Sequence, residues 1–158
     1  LTESNSDFLK IKEQPIIKLR SWLLEKLLNA YSMIKIKSKE IVITESWFHV
    51  TKNEGFHNLH THPDTPLGGI FYVESGGSDE GNLWMNPIPG FSHRISDIWC
   101  KPFFETKFIP GKLILFPGWV LHSAKSHKGN KDRIVIAFNT TAILHDDQII
   151  HLSKLRTS

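Results

Sequence analysis

Cysteine occurs once in the 158 residues, at Cys100. A single thiol excludes an internal disulfide and suits a reducing compartment; among apolar neighbours it reads as packing rather than as a nucleophile. Charge of one sign is also scarce, with 19 Lys and Arg against 16 Asp and Glu, a net of +3. The pI is near 9.0, but the basic residues are spread along the chain. Their densest patch, residues 125–133 (KSHKGNKDR), coincides with a Gly-Asn turn and reads as a solvated loop, so no nucleic-acid partner is expected. No apolar run is long enough to cross a bilayer, so no membrane is expected either. The opening LTESNSDF is polar, holds no signal-peptide core and does not begin with Met. It fits a start inside a longer polypeptide, and the expected location is cytoplasmic. Repeats, long linkers and low-complexity tracts are missing, and 40% of the residues are hydrophobic. One ordinary globular domain over 15–158 is expected, behind a polar, flexible lead-in over 1–14.

Pro15 opens a stretch in which Ile16, Leu19, Leu23, Leu27 and Tyr31 recur at helical spacing, with Leu24 and Leu28 widening the stripe. Such a stripe predicts a helix laid on an apolar surface. From Glu40 the character changes to short β-rich runs: IVITESWFHV (41–50), GGIFYV (68–73), NLWMN (82–86), FFETKFI (103–109), KLILF (112–116) and RIVIAFNTTAIL (133–144). Turn signals separate them at Gly76-Gly77, Pro87 with Pro89, Pro110-Gly111, Pro117-Gly118 and Gly129-Asn130. A leading helix followed by regularly spaced strands predicts a β-sandwich or barrel with a helical buttress.

Nine histidines are present, and three of them fall in the segment 56–64, FHNLHTHPD. Residues two apart in a strand share a face, so His60 and His62 are placed to aim two imidazoles at one point. Neutral imidazole suits Fe, Zn, Cu and Ni. The best third ligand is His122, in KLILFPGWVLHSA, where an apolar strand turns at Pro-Gly and re-enters as a second short strand. His49, His57, His93, His127, His145 and His151 show no such pattern and read as surface or structural, His57 being near enough to support a ligand.

Arg133 lies eleven residues after His122 and opens the strand RIVIAFN. A strand running back antiparallel from His122 would carry this arginine into the same interior. A buried arginine needs an anion, and its own strand has no acid. A guanidinium matches a carboxylate bidentately. The competing reading leaves it exposed at a strand end beside Asp132.

Together these segments resemble one family. NLHTHPDTPLGGIFYV and FIPGKLILFPGWVLHSA…DRIVIAFN are similar to the two halves of a group of small Fe(II)/2-oxoglutarate oxygenases of bacteria and phages, in which a His-x-His-Pro segment precedes a distal His and an Arg-led strand. The likeness runs over about 47–139. It implies a mainly β double-stranded β-helix (a jelly roll, cupin-like) with the N-terminal helix outside. It also implies Fe(II), 2-oxoglutarate and O2 as cofactor and cosubstrates, and hydroxylation of a small molecule or peptide with release of succinate and CO2. The ligand set implied is His60, His62 and His122, with Arg133 on the far carboxylate of 2-oxoglutarate. Tyr72, Asn58 and Asn139 are further candidates for that cosubstrate, and Trp84 and Trp119 for the substrate pocket. One departure stands out. Most such enzymes use two His and a carboxylate, and His62-Pro63-Asp64 offers Asp64 as an alternative ligand. Two competing readings remain: a cupin-like three-histidine metalloenzyme that does not use 2-oxoglutarate, and a non-catalytic binding module. The residues that would select a substrate, expected over 76–108, carry no recognisable code.

Overall fold

The computed structural model describes residues 1–87 and 102–145. Nine strands and one long helix build it, in the order β1 (Thr2–Glu3), α1 (Gln14–Met33), β2 (Ser38–Thr51), β3 (His57–His60), β4 (Leu67–Glu74), β5 (Glu80–Met85), β6 (Phe103–Lys107), β7 (Leu113–Phe116), β8 (His122–Ala124) and β9 (Arg133–Leu144). A five-stranded sheet, β1-β2-β9-β4-β7, faces a four-stranded one, β3-β8-β5-β6, and every pairing within them is antiparallel. This is the jelly-roll form of the double-stranded β-helix, as expected. Cys100, His93, His151 and residues 91–99 lie outside the described residues.

Pro15 lies in the first turn of the helix, where its fixed φ and missing N–H are suited. Leu23, Leu27 and Tyr31, four residues apart, are fully buried. They meet Ile41, Ile43, Leu67, Ile136 and Phe138 of the larger sheet. Each such burial contributes roughly 1.5–3 kcal/mol. Leu28 departs from the expected stripe and is 53% exposed, because a strip centred on Leu23 and Leu27 leaves it on the far side. Residues 1–14 also depart from expectation. Instead of fraying, β1 pairs with β2, and Leu9 is buried, its N–H donating to Ser46 Oγ at 2.8 Å.

The second core lies between the sheets, around Ile70, Tyr72, Trp84, Phe108, Phe116 and Ala137. Strand alternation divides the two cores along β9. Ile136 and Phe138 pack toward α1, while Arg133, Val135, Ala137 and Asn139 line the interior. In β2 the register against β9 shifts twice, once between Ser38 and Glu40 and again between Ile43 and Glu45. Ile43 pairs Thr140 and Glu45 pairs Asn139, so Thr44 is an extra residue. Before this bulge the odd-numbered Ile41 and Ile43 face the helix; after it the odd-numbered Glu45, Trp47, His49 and Thr51 face the interior.

Gly69 shows how tightly the first core closes, since a Cβ there would overlap the ring of Phe138. Gly69→Ala should therefore destabilise the fold by about 1–3 kcal/mol, measured as a lower urea midpoint with an unchanged slope; an unshifted midpoint would show that the ring moves freely.

Candidate metal centre

His60 ends β3 and His122 begins β8, and the two residues are direct partners across that pair of strands. His62 lies two residues beyond the end of β3, so strand alternation alone does not aim it. Its N–H donates to the Gly118 carbonyl at 2.8 Å, and the Gly118 N–H donates to Thr65 at 3.1 Å. A side chain at Gly118 would overlap the His62 and Thr65 carbonyls, so this close approach needs glycine. The three rings converge, with centroids 4.4 Å (His60–His122), 5.2 Å (His60–His62) and 5.2 Å (His62–His122) apart. One nitrogen from each lies within 4.8 Å of the others.

Hydrogen bonds fix which nitrogen each ring offers. His60 Nδ1 donates to the Asn58 carbonyl at 2.7 Å and His122 Nδ1 to the Val120 carbonyl at 2.9 Å. His62 Nδ1 donates to Asn139 Oδ1 at 2.7 Å, and Asn139 is itself oriented by donating Nδ2 to Glu45 Oε2 at 2.8 Å. A carbonyl and a carboxylate can only accept, so all three rings carry their proton on Nδ1 and keep a lone pair on Nε2. Packing holds the planes. Trp47 stacks on His62 at 6.2 Å, and Trp84 stacks on His122 at 5.0 Å.

Burial disfavours the charged form of His122, His57, His62 and His49. It pushes His122 down to about 4, opposed by the bond to Val120, with His60 and His62 adding to the fall. It pushes His57 down to about 4 as well, helped by His60 and His49. His62 is lowered by burial against the bond to Asn139, and His49 by burial against Glu3. Uncharged imidazoles are the form that binds a cation.

The rings open onto a cavity of about 290 Å³ whose wall includes Ile70, Phe108, Val135 and Ala137. Arg133 lies in that wall, 4% exposed. Its Nη2 donates to the Lys125 carbonyl at 3.3 Å, while Nη1 has no partner. No ion pair forms to it among the described residues. Desolvation lowers its pKa, opposed by Tyr72 and Glu80. The exposed strand end is therefore excluded.

Other candidate residues fall in different places. Asp64 sits in an exposed turn at φ 60°. It lines an outer groove beside Trp119 and is not grouped with the three rings. The Pro-Asp turn chemistry directs it away. Trp119 is 63% exposed on the same groove, outside the cavity wall. Trp84 is buried behind His122 and supports the ring rather than lining the pocket. Tyr72 is fully buried, and its hydroxyl is engaged with Asn82 Oδ1 at 2.8 Å and Thr106 Oγ1 at 2.9 Å. It is not among the residues that line the cavity, whereas its partner Asn82 is. Asn58 exposes its side chain and contributes its carbonyl instead. Asn139 lines the cavity but is occupied by His62 and Glu45. His49 and His57, read from sequence as surface or structural, both face the cavity. The spacing Glu45, Trp47, His49, Thr51 was the signal for His49: polar groups at period two in a strand of a buried sheet.

The fold and these three rings define a double-stranded β-helix protein with a candidate metal centre between its sheets. Residues 45–139, more than half the chain, match the family model described as "Putative 2OG-Fe(II) oxygenase". The chain belongs to this 2-oxoglutarate–Fe(II) oxygenase family. No curated protein matches it in sequence. Among solved structures it is similar to apo HygX from Streptomyces hygroscopicus, at 12% identity and TM-score 0.58, over 89% of this chain and 71% of that one. HygX with nickel and 2-oxoglutarate bound gives 12% and 0.57, over 87% and 71%. An oxidoreductase of the 2OG-Fe(II) oxygenase family from Burkholderia pseudomallei gives 12% and 0.51, over 67% of this chain. The chain spans about half (48%) of that protein's length. At such identities these likenesses show the fold.

A pH prediction follows from the neutral rings. The unfolded chain binds protons near pH 6.5, whereas folded His57 and His122 resist them down to about 4. Their contribution is full above 6.5 and is lost as pH falls through that window. The thermal midpoint of metal-free protein should drop from pH 7 to pH 4, and less steeply in His122→Asn. Equal slopes in the two proteins would show that His122 is not held neutral.

Proposed function

We propose that this chain is an Fe(II)/2-oxoglutarate-dependent dioxygenase that hydroxylates a small molecule or peptide side chain. The unpartnered Nη1 of buried Arg133 carries this reading. A guanidinium held out of water without an anion costs several kcal/mol, and a ligand carboxylate entering the cavity removes that cost. The donor set fits as well. Three neutral nitrogens on one side of the cavity suit a ferrous ion and leave positions for a bidentate ligand.

In this reading His60, His62 and His122 hold the iron and Arg133 pairs with the far carboxylate of 2-oxoglutarate. Iron and 2-oxoglutarate together supply the oxidising chemistry: O2 is consumed, the 2-oxo acid leaves as succinate and CO2, and a substrate C–H becomes C–OH. The chain's own contribution is orientation and exclusion of water. Asn58, Asn139 and Val120 keep the three lone pairs aimed inward. Ile70, Phe108, Val135 and Ala137 keep the cavity apolar around the guanidinium, which strengthens its attraction for a carboxylate. The ligand set is wholly neutral. Glu45 lies two hydrogen bonds beyond His62, through Asn139, and places negative charge near the centre without ligating. No helix among the described residues is long and apolar enough to cross a membrane; a cytoplasmic site of action fits the single cysteine.

Two measurements test the proposal. Anaerobic addition of Fe(II) and 2-oxoglutarate should produce a weak visible charge-transfer band that His122→Ala abolishes; a folded protein without the band would remove the cosubstrate from the assignment. Arg133→Ala should weaken 2-oxoglutarate far more than iron in calorimetric titrations, by roughly 2–5 kcal/mol, whereas equal losses would point to misfolding. Asn139→Leu, which frees the His62 ring, should weaken iron about 10–100-fold with the fold intact.

A further inference from the structure

We propose that Glu3, His49 and His57 form a second divalent-cation site in the same cavity. Each comes from a different strand: Glu3 from β1, His49 from β2 and His57 from the start of β3. One ligand atom from each lies within 4.8 Å of the other two. The pairing of β1 with β2 sets Glu3 directly opposite His49, and His49 Nε2 donates to Glu3 Oε2 at 2.6 Å. An ion pair alone would account for those two residues. It does not account for His57, whose ring stacks on His49 at 5.2 Å and brings a third donor to the same point.

Two imidazoles and one carboxylate select for a first-row transition ion such as Fe2+, Co2+, Ni2+ or Zn2+. They disfavour Mg2+ and Ca2+, which prefer oxygen ligands throughout. A cation there takes the place of the proton between His49 and Glu3. Glu3 is exposed while His49 is buried, so the site is open on the carboxylate side and keeps positions for water or an incoming group.

His57 joins this cluster to the three-histidine centre, its Nδ1 standing 3.1 Å from His60 Nδ1. His60 gives its proton to the Asn58 carbonyl over the shorter distance of 2.7 Å, so His57 faces it with a bare nitrogen. The ligand atom His57 offers already lies within 4.8 Å of those of Glu3 and His49. His60 keeps its acceptor, so filling the second site leaves the first intact. The second site uses none of the residues assigned to iron and stands apart from the oxygenase reading.

The test uses the full, metal-free chain and Co2+ alone, with bound metal counted by equilibrium dialysis and ligation followed by visible absorption. His122→Ala disables the three-histidine centre and should leave one bound Co2+. Adding Glu3→Gln should weaken that ion at least roughly tenfold, and excess Mg2+ should not displace it. The proposal is overturned if the His122→Ala chain binds no Co2+, or if its Co2+ is indifferent to Glu3→Gln. Glu3 is exposed, so its exchange leaves the core untouched. Circular dichroism checks each variant, and His62→Ala, a half-buried position, replaces His122→Ala if that chain does not fold. Failure of the three-histidine centre looks different: the unaltered chain would bind one Co2+ that His122→Ala leaves in place and Glu3→Gln removes.

Discussion

Strand β9 carries the constraint on which the remaining structure depends, because it serves two interiors at once. Its even-numbered residues Ile136 and Phe138 close the core under α1, and its odd-numbered residues Arg133, Val135, Ala137 and Asn139 form one wall of the cavity. Period-two geometry locks the two sets together. A slip of one residue against β2 or β4 would drive Phe138 into the cavity and Arg133 toward the helix. The burial of Phe138 against Gly69 therefore holds the guanidinium in place. Packing far from the chemistry sets the position of the charge.

The candidate metal centre is preorganised by acceptors rather than by the rings' own strand positions. Each Nδ1 proton is taken by a separate group, two of them backbone carbonyls within two residues of their histidine. The third is Asn139, on β9. The same strand that supplies the guanidinium thus orients a ring 77 residues away in sequence. Glu45 is linked to the His62 ring through Asn139. Asp64, the acid nearest in sequence, turns to the outer groove at φ 60°.

Much of the strand order was legible because the runs are short, apolar and bounded by Gly and Pro. RIVIAFNTTAIL matches β9 residue for residue. The three histidines were legible through a local pair and a downstream partner in an apolar strand. The roles considered for Tyr72, Trp84 and Trp119 were not separable from packing, since an aromatic in a β-strand has the same sequence signature whether it lines a pocket, backs a ligand or faces solvent. His49 was missed because it lies eleven residues before His60, in β2 rather than β3, and its approach depends on β2 pairing with β9.

Local chemistry within the sequence determined which segments became strands, where turns fell, and which residue types could bind a cation or an anion. These follow from propensity, alternation and ligand softness, which act over a few residues. Tertiary structure alone decided which face each strand turned inward. The extra residue Thr44 in β2 shifts Glu45, Trp47 and His49 to the cavity side, and a bulge is defined only by the partner strand it fails to match. The close approach of Gly118 to His62 and the empty hydrogen-bonding position beside Arg133 are likewise properties of segments far apart in the chain.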